Sequence, residues 1–308
     1  MMKSLTSVAA LAAGLAFAAL PAQAQSGLAA RPAACQLRID SSASNWIIQG
    51  YDPFGSTSPI ATFDLTFSND GRAACAFNPV FLLDQESFGL TSEGRTGRIG
   101  YTLLDQFNNT NVTPTSGRTI QGVTTRPVVV TPGGQQIVRY QLAVNEDAIR
   151  ADGSFTQRVT VSAEARGTGQ QLASRSLVLG INVLPSAVLG LSGAYRRSGG
   201  QALVDLGDLT EGVSQVPLQL RVSSTRAYRV DVESRNQGQL RLVGTDWSIP
   251  YQLVIGNQTM PLTGISTYQS GGNGPMTDSL PMQFVIGSVA GKRAGVYTDL
   301  LTVSVAPR

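Results

Sequence analysis

The chain has 308 residues, with 33 glycines, 15 prolines, no histidine, two cysteines and a formal net charge of +3. Without histidine, Ser-His-Asp and Cys-His catalysis and most zinc sites are excluded. A charge this small and dispersed does not point to a nucleic-acid or membrane-surface partner, and no cofactor is expected.

The first segment is an address, not part of the fold. Lys3 gives a short positive start, "LTSVAALAAGLAFAAL" an apolar run, and "AQA" at 22–24 a small-residue cleavage site. Residues 1–24 are therefore expected to be a secretory signal, and residues 25–308 an exported protein. No later run approaches the roughly 18 consecutive apolar residues of a membrane span. Cys35 and Cys75 are the only cysteines, and in an oxidising compartment they are expected to pair. Closing that loop of about 40 residues stabilises the fold by roughly 4 kcal/mol on the chain-entropy view. The spacing is not C-x-x-C, so a redox role is not indicated.

Beyond residue 35 the chain is a series of short apolar alternations separated by turn residues, the pattern of all-β sandwiches, and the length fits two domains. In order come "NWIIQG" at 45–50, "FDLTFSND" at 63–70, "NPVFLLDQ" at 78–85, "RIGYTLLD" at 98–105 and "DGSFTQRVTVSA" at 152–163. After the turn "GTGQQ", Leu177, Leu179, Ile181 and Val183 alternate in one further strand. Turn residues then cluster near "PSAVLGLSG", which puts a boundary at 186, with domains at 25–186 and 187–308.

Three segments recur in the second half in the same order. "FDLTFSNDGRAACAF" resembles "PLQLRVSSTRAYRVDV", "RIGYTLLD" matches "SIPYQLVI" with Tyr101 opposite Tyr251, and "DGSFTQRVTVSA" matches "AGVYTDLLTVSV" at 294–305. The first copy of that last motif leads into another strand. The second is followed by three residues, so the second sandwich is expected to be one strand short.

The second half resembles the spore coat protein U family, the subunit family of archaic chaperone–usher pili, through "VDLGDL" at 204–209, "SRNQGQL" at 234–240, "SIPYQLVI" and the closing "AGVYTDLLTVSV". The first half matches more loosely, through "GYDPFG" at 50–55, Cys75 and the repeated motifs. The resemblance implies immunoglobulin-like sandwiches, the C-terminal one lacking its last strand, completed by donor-strand complementation. It implies as partners a periplasmic pilus chaperone, an outer-membrane usher and the next pilin subunit, which donates its N-terminal strand. Tyr297, Leu301, Val303 and Val305 are then expected to line the receiving groove. About four unfilled apolar positions represent 6–12 kcal/mol at roughly 1.5–3 kcal/mol each. The segment "QSGLAARPAAC" has one leucine and a proline before Cys35, too few anchors to serve as a donor. A subunit that accepts but does not donate sits at the fibre tip, on the cell surface. It would act there in adhesion and biofilm formation on an unknown surface ligand.

An adhesive tip needs exposed apolar loops. Trp46, Ile47 and Ile48 in "NWII", and Phe107 in "DQFNNTNVT", read equally as exposed loop or buried strand. Phe81, Leu82 and Leu83 are expected in the core, and Tyr51 and Phe54 to be structural. "GTGQQL" lacks the third glycine and following helix of a phosphate loop, and catalysis is not expected. Two rival readings stay open: a shaft, adaptor or coat subunit without a ligand, and an exported carbohydrate-binding module or enzyme.

Overall fold

The computed structural model describes residues 34–120 and 126–308; the expected secretory signal at 1–24 lies outside them. Among these residues, apart from one turn of 3-10 helix at Glu146–Ala148, every regular element is a strand. The first sandwich contains β1 Leu37–Ser41, β2 Asn45–Tyr51, β3 Ile60–Asn69, β4 Cys75–Leu82, β5 Tyr101–Asp105, β6 Thr110–Asn111, β7 Val128–Val130, β8 Gln135–Val144, β9 Gly153–Ala165 and β10 Gln171–Val183. One sheet runs β1-β3-β8-β5-β6 and the other β2-β10-β9-β4-β7.

Period-2 alternation turns the apolar side chains of both sheets inward. Phe67 and Phe77 meet at 4.8 Å, and the Trp46 ring stacks on Phe63 at 5.2 Å and tilts against Tyr140 at 5.7 Å. The β3–β4 turn is closed twice. Cys35 and Cys75 are disulfide-bonded, and the buried Asn69 amide donates to the Ala73 and Val130 carbonyls. Gly71 is required there, because a Cβ would stand 2.3 Å from the Ala34 carbonyl oxygen.

Leu184, Pro185 and Ser186 lead into the second sandwich. It contains β11 Ala187–Gly193, β12 Arg196–Ser198, β13 Gln201–Leu203, β14 Gly212–Val213, β15 Leu218–Ser224, β16 Tyr228–Ser234 and β17 Gln239–Leu242. There follow β18 Ser248–Ile255, β19 Gln258–Met260, β20 Ser266–Gln269, β21 Met276–Ile286, β22 Tyr297–Thr298 and β23 Leu301–Pro307. Its larger sheet runs β11-β15-β21-β18-β17-β22, and its smaller one only β20-β16-β23. The two cores are separate, one drawn from residues up to Val183 and the other from Leu189 onward.

At the joint, the Ser186 amide donates to Thr225 Oγ1 at 3.0 Å, the Thr225 amide donates to the Ser186 carbonyl at 3.0 Å, and Arg226 pairs with the buried Asp152. The guanidinium holds the Asp152 carboxyl below the usual aspartate range.

The repeated sequences fall on equivalent strands. β3 and β4 correspond to β15 and β16, β5 to β18, and β9 to β22 with β23. Sheet positions agree: β3 lies between β1 and β8 as β15 lies between β11 and β21, and β4 neighbours β9 as β16 neighbours β23. The strands that break the correspondence are β10 and, beyond it, β2.

Candidate functional site

In the first sandwich β9 is flanked on both sides. β4 pairs with it antiparallel, and β10 pairs along its other edge from Gln171 opposite Glu164 to Val183 opposite Gly153. β2 then adds parallel to β10. In the second sandwich β23 pairs with β16, from Leu301 opposite Ser234 to Pro307 opposite Tyr228, and among the described residues no strand lies along its other edge.

Burial registers the difference residue by residue. Phe155, Val159, Val161 and Ala163 on β9 are 5%, 0%, 0% and 0% exposed. Their equivalents Tyr297, Leu301, Val303 and Val305 are packed against the second core but only half-buried, while Thr302 and Ser304 between them are exposed. Across the gap, Leu189 and Leu191 on β11 are half-buried in the same way. The expected groove residues thus lie together on one inward face, beside an edge with open backbone groups. What fills the equivalent position in the first sandwich is known: Leu177, Leu179, Ile181 and Val183, each at most 1% exposed.

Asp299, which carries no signal in the strand pattern, sets this edge in place. The Asp299 carboxylate accepts hydrogen bonds from Ser234 Oγ at 2.5 Å, Tyr251 Oη at 2.7 Å, and the backbone amides of Leu300 and Asn236 at 2.8 and 3.0 Å. It stands where the chain crosses from β22 in one sheet to β23 in the other. Burial, then the carboxylate beside it, push the Tyr251 phenol well above its ordinary range. Its counterpart in the first sandwich is the buried Gln157, which donates to the Ser87 carbonyl and accepts from the Gly89 amide. Ser234, Tyr251 and Asp299 fall in three different motifs, "SRNQGQL", "SIPYQLVI" and "AGVYTDLLTVSV".

The adhesive-loop reading of "NWII" is corrected. Trp46 is fully buried, its indole N–H donating to Ser41 Oγ at 3.1 Å, and Ile48 is buried beside it. Ile47 points to the opposite face of β2 and is half-buried. The physical reason is that β2 adds parallel to β10, with Trp46 opposite Leu179 and Ile48 opposite Ile181, which turns both side chains inward. Phe107 lies in a turn closed by Asp105, which accepts its amide at 2.8 Å; it is half-buried, with the Arg126 guanidinium 4.4 Å over its ring. Val80 and Phe81 are core, Leu82 and Leu83 half-buried. Among the described residues of this sandwich, the exposed large apolar ones are instead Phe54, Ile60, Ile120, Val129 and Ile137. Among the described residues no group of acidic or cysteine side chains could hold a metal ion.

Fold and site together define a protein of two β-sandwiches, one closed by its own last strand and one open at the corresponding edge. No family model matches the chain, and no curated protein matches it. Among solved structures it is similar to the chaperone–tip adhesion subunit pre-assembly complex CsuC–CsuE from archaic chaperone–usher Csu pili of Acinetobacter baumannii. Identity there is 14%, with 87% of this chain and 100% of that chain covered and a TM-score of 0.47. It is also similar to the CupB6 tip adhesin of Pseudomonas aeruginosa, at 11% identity, covering 89% of this chain and 95% of that one, TM-score 0.35. A third is CfaE, the adhesive subunit of CFA/I fimbria of enterotoxigenic Escherichia coli, at 11% identity, 85% and 92% coverage and TM-score 0.33.

Proposed function

We propose that this protein is an exported pilus subunit whose second sandwich is completed by a strand from another subunit, and that it acts at the fibre tip by adhesion, not catalysis. One observation carries the reading: the same strand, in the same alternation, is sealed by β10 in the first sandwich and left half-buried in the second. An unfilled position for four large apolar side chains represents about 6–12 kcal/mol of unrealised burial, a strong drive to recruit a strand. The motif resemblance to spore coat protein U supplies the class of partner. A periplasmic chaperone holds the groove first, an outer-membrane usher passes the subunit on, and a pilin replaces the chaperone strand. The first sandwich, closed by its own β10, is free to face outward toward a surface.

The test is capture from the native host. A photo-crosslinking residue in place of Val303 is expected to join an alternating apolar segment of another exported protein, identified by mass spectrometry. No adduct at Val303, with adducts forming at Thr302, would overturn the reading. Gold-labelled antibody against the first sandwich separates tip from shaft: the tip reading requires label at fibre ends, and label along the fibre would make this a structural subunit.

A further inference from the structure

A patch at the far pole of the second sandwich is unexplained by the groove. β16 begins at Tyr228 beside the joint and ends at Ser234, and β23 starts opposite Ser234, so the segment leading into β23 lies at the pole remote from the first sandwich. There Val243 donates its amide to the Val296 carbonyl at 3.4 Å, and the Arg293 guanidinium lies 5.4 Å over Trp247. Val243 and Val296 are 70% and 71% exposed and Trp247 37%, an apolar platform rimmed by Lys292 and Arg293.

The chain carries its own template for what covers it. β10 fills the first groove antiparallel to β9, ends at Val183 opposite Gly153, and three residues later enters a whole sandwich that rests on Asp152 through Arg226. Transferred to the second groove, a strand in the same register ends opposite Gly295, at the platform. We infer that the sandwich of the donating subunit docks on the loops carrying Val243, Trp247 and Val296, repeating between subunits the joint made within this chain. This rests on the donor-strand reading. The charge differs in a telling way: Asp152 is replaced by Ala294, and its neighbours are Lys292 and Arg293. The partner's turn in the place of Arg226 must then be acidic, which disfavours a second copy of this second sandwich.

Lys292 makes the test selective, since beyond residue 24 it is the only lysine in the chain. In fibres isolated from the native host, acylation of Lys292 is expected to fall at least about tenfold relative to the free chain, and a carbodiimide should join it to an Asp or Glu of the neighbouring subunit. Lys292→Glu with Arg293→Glu should reduce incorporation into fibres while leaving binding of a peptide of residues 171–183 to the groove unchanged. If that peptide binds and the chain enters fibres, but Lys292 reacts at the same rate in both, the docking inference falls and the groove reading stands. If the peptide does not bind, the groove reading falls and takes this inference with it.

Discussion

Val303→Asp separates folding of the second sandwich from its completion. Val303 sits opposite Val232, with Leu301 and Val305 beside it on the same face, and it is half-buried in the free chain. There the introduced carboxylate still reaches water, so the loss is the valine's partial burial, about 1–2 kcal/mol. With a donor strand in place the environment becomes that of Val161, which is fully buried. Enclosure of that kind raises a carboxyl pKa by roughly 3–5 units, and at about 1.36 kcal/mol per unit the ionised form is penalised by about 4–7 kcal/mol. Set against the 6–12 kcal/mol that four apolar side chains contribute, this should weaken binding by roughly a thousandfold or more at pH 7. The sign with pH is fixed. The bound-state pKa is the raised one, so the penalty is complete above it and vanishes as pH falls below the free value near ~4. The assay is titration of the full chain with a labelled peptide of residues 171–183, from pH 7 toward pH 4. Thr302→Asp is the control: Thr302 is exposed and opposite Glu233, where a like-charge pair costs about 0.2–1 kcal/mol. Unchanged binding for Val303→Asp, no recovery in acid, or equal damage from Thr302→Asp would show that Val303 does not line a groove closed by a donor strand.

Three further outcomes are expected. Trp46→Ala should destabilise the first sandwich by about 3–5 kcal/mol in calorimetry, because it empties a fully buried ring site; a loss of adhesion without a loss of stability would contradict its core placement. Cys35→Ser with Cys75→Ser, which removes a cross-link of sequence separation 40, should cost about 4 kcal/mol and lower the first thermal transition by roughly 8–16 °C. Asp152 is held below its ordinary range chiefly by the hydrogen bond from Arg226, so its contribution is present above the unfolded aspartate value and lost as pH falls through the lowered one. Small-angle scattering should therefore show the two sandwiches loosening in acid, and Asp152→Asn should show the looser form already at pH 7.

The architecture was legible where a strand's two faces differ in character. Val159 and Val161, and Leu301 and Val303, alternate with polar residues, and each pair lies on one inward face. The internal repeat was legible for the same reason, since equivalent strands keep equivalent faces. "NWII" was not, because Trp46, Ile47 and Ile48 are apolar on both faces. Only pairing with β10, more than a hundred residues away in the chain, decides which of them turn inward. The role of Asp299 was not legible, because it depends on Ser234 and Tyr251, which reach it from other strands. The platform of Val243, Trp247 and Val296 was invisible because two separate loops build it.

The most direct measurement is amide hydrogen exchange along β23, in the chain as it stands and with residues 167–183 repeated after Arg308. In the first sandwich those residues turn back from β9 and close its edge, and Arg308 stands where Arg166 does at the start of that turn. Alternate amides of residues 301–306 are expected to exchange quickly in the natural chain, since half of them face an open edge. In the extended chain those same amides should slow by about a hundredfold or more, together with a higher second thermal transition. Equal protection of all these amides in the natural chain would mean that the edge is already closed, and the second sandwich complete without a partner.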